Sequence, residues 1–372
     1  MNGVFIFIVY QFFNTLLNAI IVKKPIKRSC FQEIRVSVLV PARNEEGTIE
    51  KCINSLLSQD YENIEIVVLD DNSSDRTSEI IKSIKDRRLI MIDGKEEPPE
   101  GWTGKNWACY RLYLHSTGDI LIFADADTYF AGNAVSIMVD EMQSKNLDFI
   151  TGIPREDTIS FGEKVTVPFL NFSILSMFPI FLSFLSRYFY FFMFANGQFM
   201  MFKRKSYEKI QGHKGVKGAI VEDIELSKVA RKSNLRVGIF NLSELVGCRM
   251  YKSFREAFIG LSKSYFPLFE LRLIPSLFVW IWMLVISFAP IFALVFRNPP
   301  IVKFLAAASI FETLLIWLIA SIKFKLPREL PLYYPLVSLV NSIIGFASVF
   351  LVITGKSTWK GRAIRRKNIR LF

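Results

Sequence analysis

The chain has 372 residues, 51% of them hydrophobic, and 46 Lys and Arg against 34 Asp and Glu give a formal net charge of +12. This composition excludes an ordinary soluble domain and points to a membrane. Two His and four Cys without CxxC spacing exclude the usual zinc patterns. The Lys and Arg residues are scattered and often stand beside acidic residues, which argues against a nucleic-acid partner.

The first predicted element is an apolar run over residues 4–22. No positive charge precedes the run, and four basic residues follow it: Lys23, Lys24, Lys27 and Arg28. This order is the reverse of a cleavable signal peptide, so we interpret residues 1–23 as a transmembrane anchor. The positive-inside tendency then places the following domain in the cytoplasm of a multi-pass plasma-membrane protein.

Short β-branched runs then alternate with amphipathic patterns. The predicted strands cover residues 36–40, 64–69, 89–92 and 120–124, and Pro41 ends the first of them. A helix capped by Thr48 follows the first strand, a second runs through residues 80–84, and a third covers residues 108–115. The alternation predicts a mostly parallel α/β sheet, in which ligands bind at the carboxyl ends of the strands.

Five carboxylates stand just past the predicted strand ends: Glu45, Asp70, Asp71, Asp125 and Asp127. Because the carboxyl ends of parallel strands share one edge of the sheet, we expect these side chains to converge on one crevice.

The spacing of Asp125 and Asp127 puts both carboxylates on one side if the strand geometry continues that far. Two such charges repel unless a cation or a proton is shared, and Mg²⁺ or Mn²⁺ suits oxygen ligands of this kind. In the alternative interpretation Asp127 caps the next helix and Asp125 is a solvated turn residue.

The next acidic pair, Asp70 and Asp71, closes a neighbouring strand, where a carboxylate can accept a hydrogen bond from a base or a ribose hydroxyl. The alternative is an Asx-turn leading into Ser73. Lys105, in the Gly-flanked sequence GWTGKN, can meet a phosphate as a point charge or be merely solvated.

A later helix is predicted to begin near Val221, with Ile224, Leu226 and Val229 on its apolar face. Glu222 and Asp223 fall in its first turn, where negative charge is favoured by the helix dipole. The functional alternative is that Asp223 is a general base for an incoming hydroxyl.

These motifs resemble a known family. The stretch from VSVLVPARNEE to DDNSSDRT, the GK pair, GDILIFADADT and VEDIELS together resemble family 2 nucleotide-sugar glycosyltransferases with the GT-A fold, over residues 34–250. The GWTGK loop, the segment ANGQFMMFKRKSYEKIQGH, the C-terminal helices and the closing WKGRA are similar to its membrane subgroup, which includes carotenoid-ester, hopanoid-associated and ceramide glycosyltransferases.

The resemblance implies roles for individual residues. Asp223 would be the catalytic base of an inverting transfer, and Asp125 and Asp127 would hold a divalent cation. Gln198, Glu222 and Arg249 would contact the acceptor or the diphosphate. The nucleotide sugar, with uridine preferred, would be bound by eight residues: Pro41, Ala42, Arg43, Glu45, Asp70, Asp71, Lys105 and Asp125.

The chain departs from processive members of the family, which carry a Q/RxxRW motif. No such RW pair occurs, and Arg249 stands near that place. Transfer of a single hexose to a lipid-like acceptor, as in carotenoid or other glycolipid synthesis, is therefore favoured. The alternative is a cell-wall or polysaccharide glycosyltransferase with a saccharide acceptor. A sugar nucleotidyltransferase and a non-catalytic scaffold explain fewer of the motifs.

The remaining segments concern the membrane. The apolar run of residues 168–186 cannot cross once without separating Asp127 from Asp223, so residues 168–202 are expected in the interface or against the catalytic domain. Residues 251–274 form an amphipathic linker whose Lys252, Arg255 and Lys263 suit anionic headgroups.

The C-terminal membrane segment is predicted over residues 275–354, with runs at 275–296, 304–322 and 332–354. A basic tail follows at 355–372. Three crossings would put that tail outside, against the positive-inside tendency, so either a run containing Glu312 or Pro335 fails to span or the rule is broken. We favour a cytoplasmic tail, whose basic residues are Lys356, Lys360, Arg362, Arg365, Arg366, Lys367 and Arg370.

Overall fold

The computed structural model describes residues 1–26, 33–356, 358–359, 362–363 and 369–372. Six basic residues named above lie outside the described residues: Lys27, Arg28, Lys360, Arg365, Arg366 and Lys367.

The α-helices of the described ranges are, in chain order, α1 Asn2–Ile21, α2 Ile49–Leu57, α3 Thr77–Ser83, α4 Gly104–Leu114, α5 Ala134–Ser144, α6 Phe161–Lys164, α7 Pro168–Ser176, α8 Ile180–Leu185, α9 Arg204–Lys209, α10 Gly212–Gly215, α11 Glu222–Lys232, α12 Phe254–Ser264, α13 Leu273–Val295, α14 Pro300–Phe324 and α15 Leu330–Ile353. Two 3-10 helices cover Arg187–Phe192 and Pro267–Phe269.

The strands of the same ranges are β1 Val36–Ala42, β2 Ile64–Asp70, β3 Leu89–Asp93, β4 Ile120–Phe123, β5 Thr128–Phe130, β6 Phe149–Ile153, β7 Arg155–Glu156, β8 Met200–Lys203, β9 Val237–Asn241, β10 Val246–Cys248, β11 Thr358–Trp359 and β12 Arg362–Ala363.

The chain divides into two compact units. The sheet unit comprises Ile21–Arg155 and Ile180–Arg249, and the helical unit comprises Met1–Ile20, Glu156–Pro179 and Met250–Phe372. The predicted continuous domain over residues 34–250 is therefore wrong in one respect. Residues 156–179 belong to the helical unit because their side chains pack there: the Phe172 ring stacks on Trp317 with centroids 4.1 Å apart.

The sheet unit is built on seven strands in the order β3-β2-β1-β4-β8-β6-β9. Neighbouring strands run parallel except at β8, which is antiparallel to both β4 and β6. The mostly parallel α/β sheet predicted from the alternation is confirmed. Strands β1 and β2 are buried almost throughout, as their continuous apolar runs require for a sheet covered on both faces.

Two local expectations at the first strand are wrong. Strand β1 continues through Pro41 to Ala42, in register with Leu69 and Asp70. Its pairing with β4 has already ended at Leu39, so at Pro41 only one edge of β1 is paired and a missing N–H is tolerated. Thr48 precedes α2 but makes no side-chain cap, because its hydroxyl donates instead to Oε2 of Glu45 at 3.0 Å.

The apolar segment of residues 168–202 is broken into pieces. α7 lies in the helical unit, whereas α8 and the 3-10 helix at Arg187–Phe192 lie in the sheet unit. None of these helices approaches the roughly 20 residues that a crossing takes. The sheet-unit part packs on α11, where Arg231 Nε donates to the Ser183 carbonyl at 2.6 Å.

The helical unit contains four helices long and apolar enough to cross a membrane, α1, α13, α14 and α15, among the described residues. They correspond to the four predicted runs.

The polar side chains of α1 bind α7. Asn14 and Asn18 donate their amides to carbonyls at the end of α7, at Ser176 and Leu175 respectively, each at 2.9 Å. Helix α1 thereby satisfies carbonyls that the last turn of α7 leaves unpaired.

The predicted amphipathic linker contains α12. Ser253 caps this helix by accepting a hydrogen bond from the Glu256 N–H. Ala257 and Leu261 are buried on one face, whereas Lys252 and Arg255 are exposed.

Candidate active site

The carboxylates expected to converge are held at the carboxyl edge of the large sheet. Strand β4 ends at Phe123, and Asp125 and Asp127 lie in a turn closed by a hydrogen bond from Thr128 N to the Asp125 carbonyl at 3.1 Å. The strand geometry expected to align the two Asp side chains therefore does not extend to them. The helix-cap alternative for Asp127 also fails, because the next helix, α5, starts after Asn133.

Lys105 joins two of the acidic segments. Its ammonium Nζ lies 2.8 Å from Oδ1 of Asp125 and 2.8 Å from Oε1 of Glu222. Burial disfavours the ammonium, yet the carboxylates of Asp125 and Glu222 outweigh burial and hold the pKa of Lys105 well above its usual range. The solvated-lysine alternative therefore does not describe this side chain, which lies between the turn after β4 and the first turn of α11.

Asp223 is the next residue of α11, and backbone donors fix both of its carboxylate oxygens. Oδ2 accepts from the Gly197 N–H at 2.9 Å, and Oδ1 accepts from the Ile224 N–H at 2.8 Å. Burial, and next the adjacent Glu222 carboxylate, raise the pKa of Asp223 to about 7. A carboxylate oriented in this way and titrating near neutrality suits proton transfer.

Gly197 marks the centre of this arrangement. A Cβ atom placed on Gly197 would lie 2.9 Å from Lys105 Nζ and 3.6 Å from both Asp125 Oδ2 and Asp223 Oδ2. The backbone at Gly197 therefore borders the space that the ammonium and the two carboxylates enclose, and a side chain there would enter that space.

Asp127 has one carboxylate oxygen that is buried and one neighbouring thiol. Burial, followed by the charges of Asp125 and Glu45, raises the pKa of Asp127 to about 7, whereas a hydrogen bond from the Cys248 thiol opposes the rise. The Oδ1 atom of Asp127 is buried without a hydrogen-bond partner among the described residues. Such an atom requires a ligand, a proton or a cation to offset its desolvation.

The residues expected to bind the nucleoside lie together at the ends of β1 and β2. Asp71 N donates to the Ala42 carbonyl at 2.7 Å, and Arg43 Nη1 donates to the Asp71 carbonyl at 2.7 Å. The Asp71 carboxylate lies 3.7 Å from the same guanidinium atom. This cluster includes Pro41 through the strand register.

Two roles were predicted for Asp70, and its hydrogen bonds show the structural one. Its Oδ1 accepts the Ser73 N–H at 3.1 Å, which is the Asx-turn alternative. The Gly94 N–H donates to the Asp70 carbonyl at 2.8 Å, and a Cβ on Gly94 would lie 2.8 Å from a Leu69 methyl group. The absence of a side chain at Gly94 thus permits the ends of β2 and β3 to approach closely.

The remaining predicted residues lie at the margin of this arrangement. Gln198 follows Gly197, is buried, and accepts a hydrogen bond from Asn196 Nδ2 at 3.0 Å. Arg249 is half-buried one residue beyond β10, where Cys248 pairs with Thr128 of β5. Arg249 therefore follows a residue that is paired with Thr128, the neighbour of Asp127.

Sequence reasoning missed Gly197 and Cys248. The Asn-Gly pair just before β8 was a usable turn signal. No local pattern distinguished Cys248, which is fully buried and reaches Asp127 only because β10 pairs with β5.

The donor set fits a divalent cation that completes its coordination elsewhere. Groups of three or more His, Cys, Asp or Glu side chains placed to hold a metal are absent from the described residues. Mg²⁺ and Mn²⁺ usually take one or two carboxylates and fill the rest of their coordination with water and substrate phosphates. The partnerless Oδ1 of Asp127, beside Asp125, is consistent with that mode.

Comparison with known proteins gives a family match over residues 37–211, to the family described as glycosyl transferase family 2. The 4,4'-diaponeurosporenoate glycosyltransferase of Staphylococcus haemolyticus (strain JCSC1435) is 28% identical over 235 residues, which are 59% of this chain and 57% of that protein. The protein of the same name from Staphylococcus aureus (strain USA300) is 24% identical over 228 residues, or 60% and 58% of the two chains. The chain thus spans less than two thirds of the length of these relatives.

A solved structure resembles nearly the whole chain. The mannosyltransferase PcManGT from Pyrobaculum calidifontis, in complex with GDP-Man and Mn²⁺, superposes with a TM-score of 0.53 and 17% identity, covering 94% of this chain and 97% of that one. At that identity the likeness concerns the fold, which is of the GT-A type with a mostly parallel central sheet.

Proposed function

We propose that this chain, whose residues 37–211 match glycosyl transferase family 2, transfers a single hexose from a nucleotide-diphosphate sugar, preferably a UDP-sugar, to a lipid-like acceptor. The observation that carries the proposal is the meeting of Lys105, Asp125 and Asp223 around Gly197 at the carboxyl edge of the sheet. A cation and oriented carboxylates at this edge suit an anionic leaving group and a hydroxyl that must lose a proton.

The nucleoside is bound at the ends of β1 and β2. The Arg43 side chain and the backbones of Asp71 and Ala42 are already joined there by hydrogen bonds, so this half of the site is organised before substrate binds. Asp70 contributes through the turn that it stabilises, which fixes the backbone around Ser73.

The diphosphate is placed next to Lys105. Its ammonium is neutralised by Asp125 and Glu222 in the ligand-free arrangement, and a diphosphate offers it a stronger anion. Asp125 and Asp127 would hold a divalent cation, which when bound neutralises charge on the leaving diphosphate.

Asp223 acts as the general base. With a hydroxyl acceptor, the acceptor oxygen forms a bond to the anomeric carbon, the carbon–oxygen bond to the diphosphate breaks with its electron pair passing to the phosphate, and the hydroxyl proton passes to the Asp223 carboxylate. A carboxylate acceptor is already ionised near neutral pH and needs no base. A single displacement of this kind inverts the anomeric centre. The hydrogen bonds from Gly197 and Ile224 keep the Asp223 carboxylate in one orientation for that transfer.

The acceptor is assigned as lipid-like on two grounds. The relatives of known name act on diaponeurosporenoate, an apolar carboxylic acid by that name. The chain itself carries four helices suited to a membrane. We place the protein in the plasma membrane with its sheet unit in the cytoplasm, because Lys23 and Lys24 directly follow α1.

The test uses the full-length protein in detergent with a panel of labelled nucleotide sugars, and it offers total lipid, apolar carboxylic acids and oligosaccharides as separate acceptors. We expect one hexose to be added to the lipid fraction, with loss of transfer in EDTA and in Asp223→Asn. Transfer to oligosaccharides alone would overturn the lipid acceptor. Repeated addition would overturn single transfer, and hydrolysis or nucleotidyl transfer without glycosylation would overturn the reaction itself.

A further inference from the structure

The helices α13 and α15 run antiparallel to one another. The Ser342 hydroxyl of α15 donates to the Trp280 carbonyl of α13 at 3.2 Å, and Gly345 lies against the Trp280 ring. Closer to the start of α13, Leu271 and Leu273 pack with Val349 and Val352 near the end of α15. Residues nearer the start of α13 thus contact residues nearer the end of α15, as in an antiparallel pair.

Two further contacts fix the same ends together. Just before α13, the Phe266 N–H donates to the Ser348 hydroxyl at 2.9 Å. The end of the tail also returns to this place: Leu273 N donates to the Arg370 carbonyl at 2.9 Å, and Ile274 N donates to the Leu371 carbonyl at 3.1 Å. The tail carbonyls thereby satisfy N–H groups that the first turn of α13 leaves without an intrahelical partner.

This pairing is incompatible with three successive crossings. If α13, α14 and α15 each crossed once, the start of α13 and the end of α15 would be separated by a hydrocarbon layer of about 30 Å. Residues that share hydrogen bonds and side-chain contacts cannot lie on opposite faces. One of the three helices therefore begins and ends on the same side.

The composition of the helices identifies α14 as that element. Helices α13 and α15 contain no Asp, Glu, Lys or Arg, whereas α14 contains Lys303, Glu312 and Lys323. Glu312 lies near the middle of α14 and its Oε2 is buried without a partner among the described residues. A carboxylate at the bilayer centre is costly to insert, so α14 is the least favourable of the three as a crossing.

The exposed face of α14 remains apolar along its length. Its most exposed large side chains recur at intervals of three, four and seven residues, which places them on one side of a helix: Ile301, Phe304, Phe311, Leu318 and Ile322. A helix with this surface fits the acyl region of one leaflet rather than water.

We propose that α13 and α15 cross the bilayer as an antiparallel pair and that α14 lies within one leaflet, its exposed apolar stripe against lipid. It follows that the end of α15 and residues 369–372 lie on the same side of the membrane as residues 266–274. This topology does not depend on the glycosyl-transfer reaction.

Single cysteines at four exposed positions test the arrangement: Glu270→Cys before α13, Arg297→Cys and Arg328→Cys at the two ends of α14, and Lys356→Cys after α15. Sealed vesicles of one orientation are treated with a membrane-impermeant maleimide, and labelling is normalised to that after detergent permeabilisation. We expect positions 270 and 356 to label alike, and positions 297 and 328 to label alike with the opposite accessibility.

The background for these variants is Cys30→Ser, because Cys52, Cys109 and Cys248 are buried and should not react. An unsubstituted control in this background should remain unlabelled. Opposite accessibility of positions 297 and 328, or of positions 270 and 356, would overturn the topology. Equal accessibility of all four would overturn the crossing of α13 and α15.

Discussion

The backbone N–H of Gly197 donates a 2.9 Å hydrogen bond to Oδ2 of Asp223, so a residue without a side chain orients the proposed base. Because Gly197 also borders Lys105 and Asp125, we expect Gly197→Ala to lower turnover by at least about tenfold, through steric displacement of groups held near 3 Å. Steady-state kinetics of the purified protein measure this effect.

The matched control for that variant is Gly132→Ala. A Cβ on Gly132 would meet only the Ser58 carbonyl, at 3.4 Å, so turnover should remain near that of the unsubstituted protein. Equal loss in both variants would mean that the effect at Gly197 is a general disturbance of folding.

Removing the carboxylate of Asp223 should separate binding from chemistry. We expect Asp223→Asn to bind nucleotide sugar with an unchanged Kd while turnover falls about 10²-fold or more, the usual effect of losing a general base. Calorimetric titration and product assays provide the two readouts. Glu225→Gln, in the same helical turn but paired with Lys228, is the control and should retain activity. Normal turnover of Asp223→Asn would remove this residue from its role.

The raised pKa of Asp223 predicts how turnover depends on pH. Only the ionised carboxylate can accept a proton, so turnover should be low below pH 7 and rise as the pH passes through about 7. The Glu222 carboxylate contributes to the raised pKa, so Glu222→Gln should move the rising limb of the profile to lower pH. An unchanged limb, or one moved to higher pH, would contradict this coupling.

Asp127 should affect cation binding more than stability. Because burial raises the pKa of Asp127 to about 7, its ionised form is costly at pH 8 when no cation is bound. We expect Asp127→Asn to weaken Mn²⁺ binding, measured by electron paramagnetic resonance with nucleotide diphosphate present, without lowering the melting temperature. Asp119→Asn, exposed just before β4, should change neither quantity. Unaltered Mn²⁺ affinity in Asp127→Asn would exclude this carboxylate as a ligand.

Glu65 should stabilise the sheet unit in a pH-dependent way. Burial alone would raise the pKa of Glu65, but hydrogen bonds from Ser37, Thr117 and Arg35 outweigh burial and lower the pKa to about 2. The folded-state pKa lies below that of the unfolded chain, so the contribution is complete above pH 4.5 and is lost as the pH falls towards 2. A fall from 4.5 to about 2 corresponds to about 3 kcal/mol.

Thermal denaturation in detergent checks this expectation. Glu65→Gln should melt at a lower temperature at pH 7, and the difference from the unsubstituted protein should shrink below pH 4. The control is Glu62→Gln, at an exposed position just before β2, which should melt as the unsubstituted protein does. A difference for Glu65→Gln that does not shrink between pH 4.5 and pH 2 would show that ionisation is not its source.

The elements that could be predicted from the sequence are those that depend on a local residue pattern. Buried β-branched runs and helical periodicity located β1 to β4 and the helices between them. The ordered motifs indicated the family that residues 37–211 match and the GT-A fold that the likeness to a solved structure supports. Asp125 and Asp223 were singled out for the same reason, since each stands beside the end of a recognisable element.

Features that depend on distant contacts were beyond sequence reasoning. The contact of Lys105 with Glu222 joins residues more than a hundred positions apart in the chain. The hydrogen bond between Gly197 and Asp223 depends on how β8 is placed. The division of residues 168–202 between two units was missed because a run of Phe and Leu looks the same whichever apolar surface it packs against.

The amides of α1 have a consequence for the order of assembly. Asn14 finds its acceptor 162 residues later in the chain, at the end of α7. During synthesis α1 is made long before that acceptor exists. Until then the Asn14 amide has to be hydrated or bound to another polar group. Helix α1 is therefore the first helix synthesised, but it can make this contact only after more than 150 further residues have been made.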